Sequence, residues 1–212
     1  LNISLPLTGS RLYHCFMNFL EPILLIHVLT QLGLTQNYIQ DQYAILSGYV
    51  VSLLVTPTFF CTIIYRLYLP IATDDLYYHK STAFLHLLYA LLICLLIGLP
   101  FTLIFYFFPK QSLMVLYNTT SGYQQLKYMA FPFLLFYLQT PLSTILQAKN
   151  KNKVMFIISI IECTLEIILT YTLSHYLYVN AILISLFTGL ITTLTLSAIY
   201  CFKIIIKDTS LS

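Results

Sequence analysis

Long uncharged stretches dominate the pattern of polar and hydrophobic positions along this chain. Asp, Glu, Lys and Arg are absent from four windows of more than 20 residues, at 42–65, 81–109, 128–148 and 180–202. A helix needs about 20 apolar residues to cross a hydrocarbon core of about 30 Å. Each window therefore predicts a membrane-spanning helix.

Two further windows are long enough to cross a membrane but carry ionisable residues inside, at 4–33 and 154–178. Including them gives six predicted helices, at about 4–33, 42–69, 81–107, 122–148, 153–178 and 180–206. The predicted fold is an all-α membrane protein, a bundle of six transmembrane helices. Because the first residue is Leu1 rather than Met, we expect the chain to be part of a longer polypeptide.

The amino-acid composition also indicates a membrane protein. The 212 residues are 59% hydrophobic and only 8% charged, whereas about a quarter of the residues in an average soluble domain are charged. The five cysteines are odd in number and dispersed through the predicted spans, which favours small apolar side chains over a disulfide framework or a metal site. No basic run is interleaved with aromatic residues, so nucleic-acid binding is not expected.

The positions of Lys and Arg predict the orientation, since short cytoplasmic loops are enriched in these residues. Basic residues assigned to one side of the membrane are Arg66, Lys80, Lys149, Lys151, Lys153, Lys203 and Lys207. The opposite side has only Lys110, with Lys127 at a helix entrance. The expected arrangement is a multi-pass protein of the cell membrane with both chain ends in the cytoplasm.

The first predicted helix carries a polar stripe. Its members recur at spacings that keep residues on one helical face, namely Ser4, Arg11, His14, Asn18 and Glu21. A charge at the bilayer centre costs about 3 kcal/mol on insertion scales, so we expect the stripe to face a cavity and bind substrate. An alternative for Arg11 is that its long side chain reaches the cytoplasmic surface.

The fifth predicted helix repeats this pattern with Ser159, Glu162, Glu166 and Thr170. Glu162 and Glu166 are one turn apart and fall near the middle of the membrane. Two such carboxylates predict a site for a coupling proton or sodium ion. The alternative is a structural contact between helices, with Lys127, Arg11 or a permanently held proton as partner.

Other polar residues favour simpler interpretations. Gln139 and Gln147 are typical of hydrogen bonds between helices, and His27 and His86 of satisfied groups near an interface. Four prolines inside otherwise continuous spans predict bends, namely Pro57, Pro100, Pro132 and Pro141. No phosphate-binding glycine loop, paired histidine ligands or nucleophile elbow occurs. We therefore predict no enzyme activity, no catalytic residue and no bound metal.

Three stretches resemble a known family. They are PLTGSRLYHCFMNFLEPILLIHVLTQLGLT, YAILSGYVVSLLVTPTFFCTIIYRLYLP and YMAFPFLLFYLQTPLSTILQAKNKNK. The first two resemble the seventh and eighth spans of the stage V sporulation protein B and polysaccharide flippase family. The third resembles the family's proline-bearing helix, which leads to LQA and a basic cytoplasmic loop. This family belongs to the multidrug, oligosaccharidyl-lipid and polysaccharide exporter (MATE-like) superfamily.

The resemblance implies a transporter of two six-helix lobes around a cavity that alternates between the two sides of the membrane. This chain resembles the C-terminal lobe, so the N-terminal lobe would be its partner. Family members are similar to flippases that move undecaprenyl-pyrophosphate-linked oligosaccharides, including the cell-wall precursor lipid II, to the outer leaflet. By position, Arg11 and Glu21 would line the cavity.

Two other functions remain open at this stage. A cation-coupled multidrug exporter of the same fold would use the carboxylates to bind organic cations, with Arg11 peripheral. A membrane scaffold that transports nothing would use both polar stripes as buried helix contacts.

Overall fold

The computed structural model describes residues 4–78 and 82–209, with side chains at 8–78 and 82–205. The regular structure of these residues is helical, as predicted. The helices are α1 (Ser4–Gln31), α2 (Gln36–Ala44), a π-helix (Ile45–Val51), α3 (Ser52–Val55), α4 (Thr58–Tyr77), α5 (Ala83–Phe107), α6 (Pro109–Tyr117), α7 (Tyr123–Ala148), α8 (Asn152–Leu177), a 3₁₀ turn (Tyr178–Asn180) and α9 (Ala181–Thr209). Three groups named in the sequence-based predictions lie outside the described residues: Lys80 and the side chains of Ser4 and Lys207.

Four helical stretches of the described residues are long and apolar enough to cross a membrane. They are Thr8–Gln31, Ala83–Phe107, Tyr123–Ala148 and Asn152–Ile205, and a bent pair, Gln36–Val55 with Thr58–Tyr77, makes a fifth. The 54 residues of the fourth stretch would extend about 80 Å as one straight helix, far more than a membrane is thick. This stretch instead contains α8 and most of α9.

The chain reverses between α8 and α9 at the 3₁₀ turn, where Tyr178 has a φ of 52°. Beyond the turn the helices pack side by side, and the hydroxyls of Thr170 and Ser185 are hydrogen-bonded at 2.7 Å. One turn further from the reversal, Gly189 of α9 contacts the side chain of Glu166. These two pairs show that α8 and α9 form an antiparallel hairpin.

The first helix runs parallel to α8. Gly9 lies against the ring of Phe156, and further along both helices the hydroxyls of Tyr13 and Thr164 are 2.8 Å apart. Since α9 is antiparallel to α8, the start of α1 and the end of α9 lie at the same end of the bundle.

The second span differs from its predicted range of 42–69. Its helices begin at Gln36 and continue to Tyr77, with a 42° bend at the break before Thr58. Pro57 stands at this break and explains the bend, as predicted. The three other prolines predicted to bend spans lie inside helices that continue through them, Pro100 in α5 and Pro132 and Pro141 in α7. Arg66, one of the basic residues that predict the cytoplasmic side, lies well inside α4 rather than at its end, because the helix continues past the apolar residues that define the predicted span.

Tyr137 of α7 stabilises the broken span. Its buried hydroxyl donates a 2.7 Å hydrogen bond to the carbonyl oxygen of Leu54, which the break leaves without its usual helical donor. The ring lies so close to Gly98 of α5 that a Cβ there would overlap it. One aromatic side chain thus joins three spans.

Tyr137→Phe should lower the free energy of unfolding by about 1–3 kcal/mol, since it leaves a buried carbonyl group without a donor. Thermal unfolding of the purified protein in detergent measures this. Tyr117→Phe is the matched control, because that hydroxyl makes a 3.2 Å bond to Ser52 at an exposed position. Equal stability of the two variants would contradict this role.

The two histidines predicted to be satisfied have polar neighbours. His86 Nδ1 lies 2.7 Å from Oδ2 of the buried Asp75, which also accepts a hydrogen bond from Thr82. His27 Nε2 lies 3.2 Å from Nε2 of Gln31 one turn away. Of the cysteines, only Cys15 is exposed, and the four others are buried free thiols.

Candidate functional site: an acidic cavity inside the helix bundle

A cavity of about 370 Å³ lies between α1, the first arm of the bent span (36–55), α7, α8 and α9. The polar residues that line it come from α1, α8 and the first arm of the bent span. The apolar residues come from the same arm, α7 and α9. The lining residues are His14, Asn18, Glu21, Tyr43, Leu46, Ser47, Val51, Val55, Phe133, Phe136, Glu162, Glu166, Ile182, Leu186 and Leu190.

Three members of the polar stripe on α1 reach this cavity: His14, Asn18 and Glu21. Their spacing of four and three residues keeps them on one face of the helix. The opposite face is apolar and exposed, as in a helix that faces lipid. The amphipathic pattern of α1 therefore places the ionisable side chains toward the interior of the lobe.

Arg11 lies elsewhere. It is exposed on α1 and is absent from the described residues that line the cavity. The structure thus separates Arg11 from the three other residues predicted to bind substrate. Rotation around the helix does not cause this separation, because Arg11 is one heptad from Asn18 and the two directions differ by only about 20°. Arg11 instead lies about 4.5 Å further along the helix axis than His14, beyond the end of the cavity lining on α1.

Helix α8 supplies two carboxylates, with Glu162 buried at 8% exposure and Glu166 partly buried. Nε2 of His14 lies 3.9 Å from Oε2 of Glu162, so a protonated imidazole would form an ion pair there. Lys127, one partner considered for this pair, instead lies over the ring of Tyr106. The parallel packing of α1 and α8 brings into one cavity three of the four residues predicted to bind substrate and both residues predicted to bind the coupling ion.

The charge of the cavity has one sign apart from His14. Three glutamates line it, and no lysine or arginine is among its described lining residues. In an environment of low dielectric constant, such a cluster attracts protons and cations and repels anions. In the described part of the chain, no group of three or more His, Cys, Asp or Glu side chains could hold a metal ion.

Sequence reasoning missed two residues of α9. Gly189 contacts Glu166, and Thr193, one turn later, is level with Glu162 in the antiparallel hairpin. The buried Thr193 hydroxyl has no hydrogen-bond partner among the described residues. A glycine and a threonine inside an apolar window were the available signals, but only the register of the hairpin relates them to the carboxylates.

Water should enter this cavity from the face of α1. In a variant without native cysteines, we expect Asn18→Cys to react with a water-soluble thiol reagent at least ten times faster than Leu25→Cys, because Asn18 is exposed and Leu25 is buried; about a tenfold difference corresponds to 1.4 kcal/mol. Labelling in membrane vesicles measures both rates. Equal protection of the two positions would favour a scaffold with closed helix contacts.

Comparison with known proteins tests the predicted family. No protein-family model and no solved structure matches the chain significantly. The chain is 31% identical over 151 residues to stage V sporulation protein B of Bacillus subtilis (strain 168), an alignment that covers 71% of this chain. It spans 29% of the length of that relative. This identity confirms the resemblance found in the sequence, and the chain belongs to the family of stage V sporulation protein B.

Proposed function

We propose that this chain is one lobe of a two-lobe membrane transporter that flips a lipid-linked oligosaccharide to the outer leaflet by alternating access. The observation that carries the proposal is the acidic cavity inside an apolar bundle. Burying three carboxylates in a membrane is costly, and ion coupling gives a physical reason to keep them. The family membership supports a transporter rather than an enzyme.

The packing supports a six-helix, MATE-like lobe. The bent pair 36–77 counts as one crossing, and the α8–α9 hairpin counts as two. With α1, α5 and α7 the total is six crossings, which fits the shared end of α1 and α9. The basic residues near that end favour a cytoplasmic location for both chain ends in the cell membrane.

Within this lobe we assign the cavity to the coupling ion, a proton or sodium. Its carboxylates would repel a pyrophosphate, so His14 and Glu21 act with Glu162 and Glu166 rather than with the substrate. Asn18 is exposed and lines the same cavity, between His14 and Glu21 on α1. Arg11, exposed on α1, binds the anionic head group, for which its planar guanidinium offers several donors.

Reconstitution of the full-length protein tests the proposal, with lipid II as the probe for an undecaprenyl-pyrophosphate-linked substrate. Flipping in proteoliposomes is measured under a pH gradient, under a sodium gradient and with neither. We expect one of the gradients to accelerate flipping. If no condition produces flipping above that of protein-free liposomes, lipid II is not the substrate.

The acidity of the cavity also favours a second function, a cation-coupled multidrug exporter. Carboxylates in a cavity without lysine or arginine among its described lining residues attract organic cations as well as protons. Export of a cationic dye that disappears in Glu162→Gln and Glu166→Gln variants, together with an absence of lipid flipping, would select this function.

A further inference from the structure

The contact between Gly189 and Glu166 has a consequence for the acidic cavity. A Cβ at position 189 would lie 2.8 Å from both Cγ and Cδ of Glu166, and Oε1 would be closer still. Carbon atoms pack favourably at about 3.5–4.0 Å. The position of the Glu166 side chain is therefore compatible only with a residue that has no Cβ.

The surrounding packing leaves little room for α9 to move away. One turn from Gly189, the buried hydrogen bond between Thr170 and Ser185 joins the same two helices. Separating the helices would break this buried bond and leave the Thr170 hydroxyl without it, which is unfavourable, whereas Ser185 would keep its 2.9 Å bond to the carbonyl oxygen of Ile182. The free volume next to Glu166 is the cavity, so an added methyl group would displace the carboxylate into it.

We infer that Gly189 is a positioning residue, which allows the Glu166 carboxylate to lie against the backbone of α9 at the edge of the acidic cavity. The importance of this position for ion coupling rests on the proposed function. The contact itself does not, and it can be tested separately.

Carboxylate labelling tests the contact in membrane vesicles that contain the full-length protein. A water-soluble carbodiimide is applied, and mass spectrometry measures modification of the peptide that contains Glu166. We expect Gly189→Ala to increase this modification several-fold, because the side chain moves into the water-accessible cavity. Gly48→Ala is the matched control, since no described atom lies within 4 Å of its added Cβ, and it should label like the parent.

A shorter acid tests the same contact through transport. Glu166→Asp removes one methylene group, so the double variant Gly189→Ala/Glu166→Asp should be more strongly gradient-dependent than Gly189→Ala alone. If Gly189→Ala does not reach the membrane, Gly189→Ala/Glu166→Ala should restore its amount, because the overlapping side chain is gone. Parental labelling in Gly189→Ala would overturn the inference. If Gly189→Ala is absent from the membrane, continued absence of Gly189→Ala/Glu166→Ala would overturn it as well.

These outcomes separate the two proposals. Altered labelling in Gly189→Ala, with normal gradient dependence in Glu166→Gln, would support the positioning role and refute the coupling role of Glu166. Parental labelling in Gly189→Ala, with lost gradient dependence in Glu166→Gln, would refute the positioning role of Gly189 and support the coupling role of Glu166.

Discussion

Replacement of both Glu162 and Glu166 with glutamine should abolish the acceleration of flipping by the coupling gradient. Glutamine keeps the size and polarity of the side chain but cannot bind and release a proton or neutralise a cation. With a gradient of one pH unit, each coupled proton is worth about 1.4 kcal/mol, a tenfold change in an equilibrium ratio. We expect the variant to lose this factor while it retains slow flipping without a gradient, measured in proteoliposomes.

Single variants show which carboxylate carries the ion. Glu21→Gln, Glu162→Gln and Glu166→Gln are compared with Asp41→Asn, which removes an acidic group at an exposed position of α2, outside the cavity lining. The control should keep its full response to the gradient. If the double variant also keeps it, these carboxylates are structural and the coupling site lies elsewhere.

Replacement of Arg11 with alanine should slow flipping by about ten- to a hundredfold. Hydrogen bonds to charged groups contribute about 1.5–3 kcal/mol each, and Arg11 is the basic residue of the polar stripe on α1. Arg11→Lys keeps the charge but loses the planar pair of donors, so an intermediate rate is expected. The initial rate of lipid II flipping, at several substrate densities, measures both variants.

Arg66→Lys is the control for this series, because it changes another exposed arginine inside a helix. Its flipping rate should match that of the parent. Normal flipping by Arg11→Lys would refute the specific role of the guanidinium group, and normal flipping by Arg11→Ala would place the head-group site on another surface.

The helices were largely predictable because each depends on local pattern. The window at 128–148 carries no charged residue over its whole length, and α7 occupies Tyr123–Ala148. The second span shows the limit of this reasoning. Hydropathy identifies the apolar part that lipid requires, but the polar residues from Gln36 onward also form helix, since backbone hydrogen bonds do not require apolar side chains.

The candidate site was predictable in its parts but not in its grouping. Spacing alone placed His14, Asn18 and Glu21 on one face of α1, and Glu162 and Glu166 on one face of α8. The spacing also predicted that Arg11 shares one site with His14, because a spacing of three residues is compatible with one helical face. Arg11 does share that face, since one heptad rotates a residue by only about 20°, but the packing of neighbouring helices determines how far along the face the cavity extends, and it ends before Arg11.

The amino-acid sequence by itself determined that this protein is helical, that it resides in a membrane and that two of its spans carry ionisable groups along one face, because these properties follow from hydropathy and helical periodicity. The tertiary structure alone decided that α1 and α8 pack in parallel, so that His14 and Glu162 meet across a shared cavity. It alone also placed Gly189 against Glu166. Contacts between residues distant in the chain depend on helix register and direction, which local patterns do not encode.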